Sequence, residues 1–118
     1  MKPVREQADD FQAFMHAIYS ARKRAKLKER DSDLTEDVAR SIWRRCKGRC
    51  ELTGIPFDFA KLDGCRRRPF MPSIDRIDCA KGYTVENIRV VCTAANLAMN
   101  QWGEDVLFRM ARGLAMNR

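Results

Sequence analysis

Five side chains that can offer an oxygen atom to a metal ion follow one another in the second half of the sequence. They are Asp75, Asp78, Asn87, Asn96 and Asn100. Carboxylate and amide oxygens are hard ligands that suit Mg²⁺ or Mn²⁺, with water and a substrate phosphate in the remaining coordination positions. The same residue types are common before turns and on helices, so their spacing alone leaves an ordinary structural role open.

The elements around these residues predict how they come together. Residues 70–77 and 87–91, FMPSIDRI and NIRVV, have the composition of two short strands, and the turn glycine Gly82 lies between them. Residues 93–102, TAANLAMNQW, predict a helix. A β-hairpin followed by a helix can bring Asp75 on the first strand next to Asn96 on the helix.

Two further asparagines have predicted roles in this unit. Asn100 follows Asn96 by one helical turn and would lie on the same face, beside the metal or the phosphate. Asn87 stands just before the second strand, where its amide can bond to backbone groups and hold the shape of the loop.

The rest of the chain predicts three more helices. Apolar residues at helical spacing predict a first helix that begins near Pro3 and continues into a basic segment. Thr35 is expected to cap a second helix that ends near Gly48. Residues 104–115 repeat the helical spacing and predict the last helix.

Together these elements predict an α+β protein, a small and mostly helical domain built around the hairpin and its helix. We expect residues 1–45 to form a helical extension that carries the basic segment, and residues 46–118 to form the main domain. Three large aromatic residues, Trp43, Phe57 and Trp102, are expected to fill the core.

The net charge is +7, and the excess of basic residues is concentrated in two short segments. These residues are Arg22, Lys23, Arg24, Lys26 and Lys28 in the first segment and Arg66, Arg67 and Arg68 in the second. Such clusters suit a polyanion, most often nucleic acid. Each segment by itself could equally be a solvated surface.

The sequence carries no sign of export or of membrane insertion. No apolar run approaches the roughly 20 residues that a membrane-spanning helix needs, and the N-terminal residues are too polar for a signal peptide. We therefore expect a cytoplasmic protein without a membrane partner. Its five cysteines are expected to stay reduced rather than to pair in disulfides.

Four ordered segments resemble the HNH endonucleases, in particular a subgroup common in phages and prophages. They are CELTGIPFDF, PSIDRID, KGYTVENIRVVC and AANLAMNQWGED, and SARKRAKLKERDSDLTED upstream is similar to the basic helix of that subgroup. The resemblance covers about residues 20–112. It implies the ββα-metal fold, one bound divalent cation, Mg²⁺ or Mn²⁺, and cleavage of phosphodiester bonds in double-stranded DNA inside a bacterial host cell.

The family's motifs correspond to residues of this chain one by one. Its Asp-His pair, in which Asp binds the metal and His is the general base, corresponds to Asp75-Arg76. The asparagine that braces the family's loop corresponds to Asn87. The final metal-binding histidine corresponds to Asn96, and some relatives, including phage Holliday-junction resolvases, use asparagine there as a ligand. The resemblance thus implies a metal held by Asp75 and Asn96.

Arg76 is the most serious departure of the sequence from the family pattern. Arginine keeps its proton at any working pH, so it cannot be an ordinary general base, but it can hold a phosphate or stabilise the transition state. Three alternatives are open. The metal could activate water with Asp78 as the base, or the only histidine, His16, could supply the base. Alternatively, the chain could bind DNA without cutting it. We expect retained activity, because the subgroup commonly carries the Asp-Arg pair. An RNase with the same chemistry is a further hypothesis.

Many HNH proteins also hold a structural zinc ion on two Cys-x-x-Cys motifs. Here these motifs fall on residues 50–53 and 92–95, which retain only Cys50 and Cys92. Two thiolates do not complete a tetrahedral zinc site, and the other cysteines do not have the motif's spacing. We expect buried free thiols and no structural Zn²⁺, while sequence specificity and oligomeric state are left open.

Overall fold

The structure of the chain is a computed structural model that describes residues 4–60 and 62–118, with side chains described from residue 9 onward. Its elements follow in the order α1 (Val4–Leu27), α2 (Glu36–Cys46), β1 (Pro72–Arg76), a 3₁₀ turn (Val85–Asn87), β2 (Ile88–Cys92), α3 (Thr93–Met99) and α4 (Glu104–Met116). The predicted start of the first helix near Pro3 lies outside the described residues. Within those residues, four helices and a two-stranded antiparallel sheet confirm the α+β class. None of these helices is long and apolar enough to cross a membrane.

The second helix begins and ends where local signals in the sequence predict. The N–H of Val38 donates to Thr35 Oγ1 at 3.3 Å, so Thr35 caps the first turn as expected. After Cys46 the chain leaves the helix at Lys47, whose φ of 55° is left-handed. The helix is therefore bounded by its own sequence before any tertiary contact is considered.

The strands β1 and β2 form a hairpin whose register decides which side chains face α3. Ile74 pairs with Val90, and both side chains are buried in the core. Asp75 pairs with Arg89, and neighbouring residues of a strand point to opposite faces of the sheet. This pair therefore lies on the face away from Ile74, where Ser73 also contacts α3.

One hydrophobic core joins α1, α2 and the hairpin. Phe14 of α1 is fully buried, and its ring stacks on Trp43 of α2 with 4.8 Å between the ring centroids. Trp43 stacks in turn on Phe57 at 6.1 Å. Side chains from both predicted parts of the chain, before and after residue 46, belong to this cluster. Burial of this apolar surface is what fixes α1 against the hairpin.

Trp102 and α4 lie at the edge of the fold. Trp102 is 60% exposed, so the prediction that it fills the core is wrong. The reason is that α3 already ends at Met99, which leaves Trp102 in the connecting turn instead of on the buried face of a longer helix. Helix α4 packs on α3, and none of its side chains is buried.

The turn between the strands packs closely against the segment that follows α1. The N–H of Tyr83 donates to the carbonyl of Asp31 at 2.8 Å, and the N–H of Asp33 donates to the carbonyl of Tyr83 at 3.1 Å. A Cβ atom on Gly82 would collide with the backbone of Asp31. Glycine is required here by this close approach of two backbone segments.

We expect Gly82→Ala to lower the free energy of unfolding by about 2 kcal/mol or more, because the two backbone segments must separate to admit the methyl group. Gly113→Ala in α4 is the matched control, since an added Cβ meets nothing within 4 Å there. Alanine stabilises a helix by up to about 1 kcal/mol relative to glycine. Urea denaturation measures all three proteins, and a Gly82→Ala protein as stable as the parent would contradict the packing.

Candidate active-site cleft

A cleft of about 400 Å³ opens between the hairpin, α3 and the C-terminal half of α1. Its lining gathers side chains that are far apart in the sequence. The predicted site residues among them are Arg24, Arg67, Asp75, Arg76, Asn96 and Asn100. The two candidates for a general base, Asp78 and His16, do not line the cleft.

Asp75 offers one free carboxylate oxygen to the cleft. Its side chain is 13% exposed, and its Oδ2 accepts a hydrogen bond from Arg89 Nε at 2.8 Å. No described residue donates to the other carboxylate oxygen. Among the described residues every buried side-chain oxygen and nitrogen has a partner, so this oxygen reaches solvent and is available to a ligand.

Asn96 presents an amide oxygen to the same cleft. Its Nδ2 donates to Ser73 Oγ at 2.7 Å, which ties α3 to β1 and fixes the orientation of the amide. No described residue donates to its Oδ1. Carboxylate and amide oxygens are the ligand types that a hard divalent cation takes in proteins, together with water and phosphate.

Asn100 also lines the cleft, but it is not on a continuing helix. Helix α3 ends at Met99, and Asn100 has a φ of 47° with its N–H donating to the carbonyl of Asn96 at 3.0 Å. The prediction of a helix through residue 102 is therefore wrong, although Asn96 and Asn100 line the same cleft. With its ψ of −126°, Asn100 lies outside both the helical and the αL regions, so the regular helix stops there.

Arg89 is a residue of this site that the sequence analysis missed. Its Nε donates to Asp75 and its Nη1 donates to Glu104 Oε2 at 2.6 Å, so one guanidinium bridges β1 to the start of α4. Burial lowers the pKa of Arg89, but the hydrogen bonds and charges of Asp75 and Glu104 outweigh it and raise the pKa above its usual value. Both Asp75 and Arg89 lie in the predicted strands. A pair of opposite charges across a hairpin is a favourable arrangement that could have indicated this contact.

Arg76 is held by the turn rather than by a carboxylate. Its Nη1 donates to the carbonyls of Cys79 at 2.6 Å and Lys81 at 3.0 Å. Its guanidinium lies 5.3 Å from the centre of the Tyr83 ring, and Arg24 donates through Nε to the hydroxyl of the same tyrosine at 3.2 Å. A guanidinium has five N–H donors, so Arg76 can hold this position and still bind a phosphate.

Asn87 makes the bonds to the loop backbone that its position in the sequence predicts. Its Nδ2 donates to the carbonyls of Gly82 at 2.8 Å and Asp78 at 3.1 Å, and its Oδ1 accepts from the N–H of Asp78 at 2.9 Å. The carboxylate of Asp78 accepts from the N–H of Ala80 at 2.9 Å. Asp78 therefore shapes the turn, and its carboxylate lies outside the cleft.

The basic residues separate into two neighbouring surfaces. Arg24 and Arg67 line the cleft. A groove of about 660 Å³ runs along the other side of α1, and its basic and aromatic lining residues are Tyr19, Arg22, Lys23, Lys26 and Arg30. Arg30 donates to the carbonyl of Cys79 at 3.1 Å, the same carbonyl that Arg76 holds from the cleft. The cleft and the groove thus meet at one point of the turn.

The remaining predicted basic residues line neither surface. Arg68 donates to the carbonyl of Phe59 at 3.1 Å and ties down its own loop. Arg66 and Lys28 are exposed. They can contribute to the positive field of the protein without a fixed contact.

The cysteines at the zinc-motif positions form a buried pair of free thiols. Burial raises the pKa of Cys50, but hydrogen bonds from Thr53 and from the backbone N–H of Cys92 outweigh it, so the pKa is lowered. Burial and the neighbouring Cys50 raise the pKa of Cys92. Among the described residues no group of three or more His, Cys, Asp or Glu side chains could hold a metal ion.

Comparison of the chain with protein-family models, with curated proteins and with solved structures gives no match. The resemblance to the HNH endonucleases therefore depends on the ordered motifs of the sequence, and membership of that family stays a prediction.

We expect Asn87→Ala to lower the free energy of unfolding by about 2–4 kcal/mol, because it removes three hydrogen bonds and leaves backbone groups of the turn unpaired. Asn117→Ala, an exposed change of the same chemistry after α4, should cost less than about 0.5 kcal/mol. Chemical denaturation gives both values. Equal losses in the two variants would show that Asn87 does not hold the turn.

Proposed function

We propose that the chain is a metal-dependent DNA endonuclease or nickase with an HNH-like ββα-metal active site. One observation carries the proposal: a single cleft gathers a free carboxylate oxygen, a free amide oxygen and three arginines from separate parts of the chain. These residues are Asp75, Asn96, Arg24, Arg67 and Arg76. Oxygen ligands beside guanidinium groups are the chemistry that a metal-bound phosphodiester requires.

Asp75 and Asn96 are the residues that would hold Mg²⁺ or Mn²⁺, each through one oxygen. The bound cation would supply Lewis acidity for the attacking water and for the leaving oxygen. With only two protein ligands, most coordination positions are left for water and for the substrate phosphate. The site would therefore bind its cation most tightly together with the nucleic acid.

The arginines of the cleft would position the scissile phosphate. Arg76 is held by two turn carbonyls, so it can donate its other N–H groups in a fixed direction. It keeps its proton, so it would stabilise negative charge and would not remove a proton from water. No histidine lines the cleft, which distinguishes this site from one that uses a histidine base.

The groove along α1 extends the positive surface beyond the cleft. Because the two surfaces meet at the carbonyl of Cys79, a strand in the cleft could continue past the turn into the groove. Tyr19 there is 51% exposed beside Arg22 and offers a surface on which a base could stack. The groove would thus add contacts to phosphates that flank the cleavage site.

A second candidate is a DNA-binding module that does not cleave. Two observations favour this alternative. Asp75 is already paired with Arg89, and no histidine lines the cleft. It predicts binding that weakens with salt, that does not respond to EDTA and that yields no product. An RNase would cleave RNA in preference to DNA. Competition between DNA and RNA substrates distinguishes it from the DNA endonuclease and from the binding module.

We expect purified protein with Mg²⁺ or Mn²⁺ to convert supercoiled plasmid into open-circle or linear DNA, and EDTA to stop it. Asp75→Asn should slow this conversion by about 10²-fold or more, because it removes the carboxylate that holds the cation. Asp105→Asn on the exposed side of α4 has the same charge change and should cleave like the parent. A gel shift without product, under every metal tested, would support the binding module instead.

We expect the groove to contribute to affinity rather than to chemistry. Lys23→Gln with Lys26→Gln removes two charges from it, so the slope of log affinity against log salt should become less steep by about 2. The matched control is Arg109→Gln with Arg112→Gln on α4, which removes the same charge from another exposed surface. Fluorescence anisotropy of labelled duplex DNA at several salt concentrations measures both, and equal slopes in the two double variants would contradict a role for the groove.

A further inference from the structure

Arg89 stands between two carboxylates that differ in their exposure to water. The side chains of Arg89 and Asp75 are 16% and 13% exposed, whereas Glu104 is 45% exposed. The pair with Asp75 is therefore largely removed from water, and the pair with Glu104 is partly screened by it. One guanidinium is shared between a carboxylate of the cleft and a more exposed carboxylate at the start of α4.

This arrangement sets a condition on any cation that binds Asp75. A divalent ion at the free carboxylate oxygen would lie close to the positive charge that already occupies Oδ2, and the two repel each other. Arg89 can relieve that repulsion without losing every partner, because its Nη1 is already bonded to Glu104. A buried guanidinium with no carboxylate beside it would be far less favourable.

We propose that Arg89 and Glu104 set the affinity of the cleft for divalent cations: Arg89 competes with the cation for Asp75, and Glu104 draws Arg89 towards the start of α4. The inference rests on the proposed function in one respect only, that Asp75 is a metal ligand. Both residues are positioning residues, since they act through Asp75. The cleft would then hold its cation weakly until a phosphate adds further ligands.

The two residues should have opposite effects on metal binding. Arg89→Met keeps an unbranched apolar stem and removes the competing charge, so the affinity for Mn²⁺ should rise by about tenfold. Glu104→Gln removes the second negative charge beside Arg89 and so strengthens its hold on Asp75, and the affinity should fall by about threefold or more. If the bridge only held β1 to α4, both changes would lower the affinity or neither would alter it.

Isothermal titration of the full chain with Mn²⁺ in the absence of DNA measures these affinities without any cleavage. Arg45→Met is the matched control, because Arg45 forms a comparable pair with Glu51 at 2.7 Å and does not line the cleft. It should leave the Mn²⁺ affinity unchanged. Circular dichroism checks that each variant is folded. If Arg89→Met does not fold, the exchange rate of the Arg89 Nε–H in the parent, described next, decides between the inference and a purely structural bridge. An unchanged or tighter affinity in Glu104→Gln overturns the inference in either case.

A second readout follows Arg89 itself. On titration of the parent with Mg²⁺, the Nε–H proton of Arg89 should exchange with water faster, because its hydrogen bond to Asp75 is weakened. An Nε–H signal that stays protected at saturating Mg²⁺ would overturn the inference.

The outcomes also separate this inference from the proposed function. If Asp75→Asn binds Mn²⁺ as well as the parent, Asp75 is not a ligand, and both the proposed metal site and this inference are overturned. If Asp75→Asn weakens binding while Arg89→Met and Glu104→Gln shift the affinity in the same direction, or not at all, only the inference is overturned.

Discussion

The cross-strand register of the hairpin is the constraint on which the site depends. Ile74 opposite Val90 faces the core, and Asp75 opposite Arg89 faces α3. Because side chains alternate along a strand, a shift of the pairing by one residue would bury Asp75 and expose Ile74. The free energy of burying the apolar side chains therefore also determines the position of the carboxylate.

The turn that joins the strands is held from two directions. The side chain of Asn87 donates to carbonyls of the turn. On the other side of the turn, Asp31 and Asp33 in the segment after α1 form backbone hydrogen bonds with Tyr83. Arg76 and Arg24 both contact Tyr83 in this region. Helix α1 is thus part of the site: it packs on the hairpin, and its C-terminal half supplies basic residues to the cleft and to the groove.

Much of this arrangement could be predicted from the sequence, because it depends on local patterns. The two strands, the cap at Thr35 and the bracing amide of Asn87 all follow from residue types at short spacing. The sequence did not predict the bridge of Arg89 to Glu104, which depends on where α4 packs. It also placed Asn100 and Trp102 on a longer helix, because the positive φ that ends α3 at residue 100 has no strong local signal.

The proposed activity requires a divalent cation in the cleft between β1 and α3. Paramagnetic broadening of backbone amide signals by Mn²⁺, recorded with a short DNA duplex present, tests it most directly, because broadening falls off steeply with distance from the ion. A cation in the cleft should cause selective loss of signals from residues 73–76 and 93–97 at low Mn²⁺, with α2 unaffected. Broadening centred on another part of the chain, or uniform broadening without a centre, would contradict it.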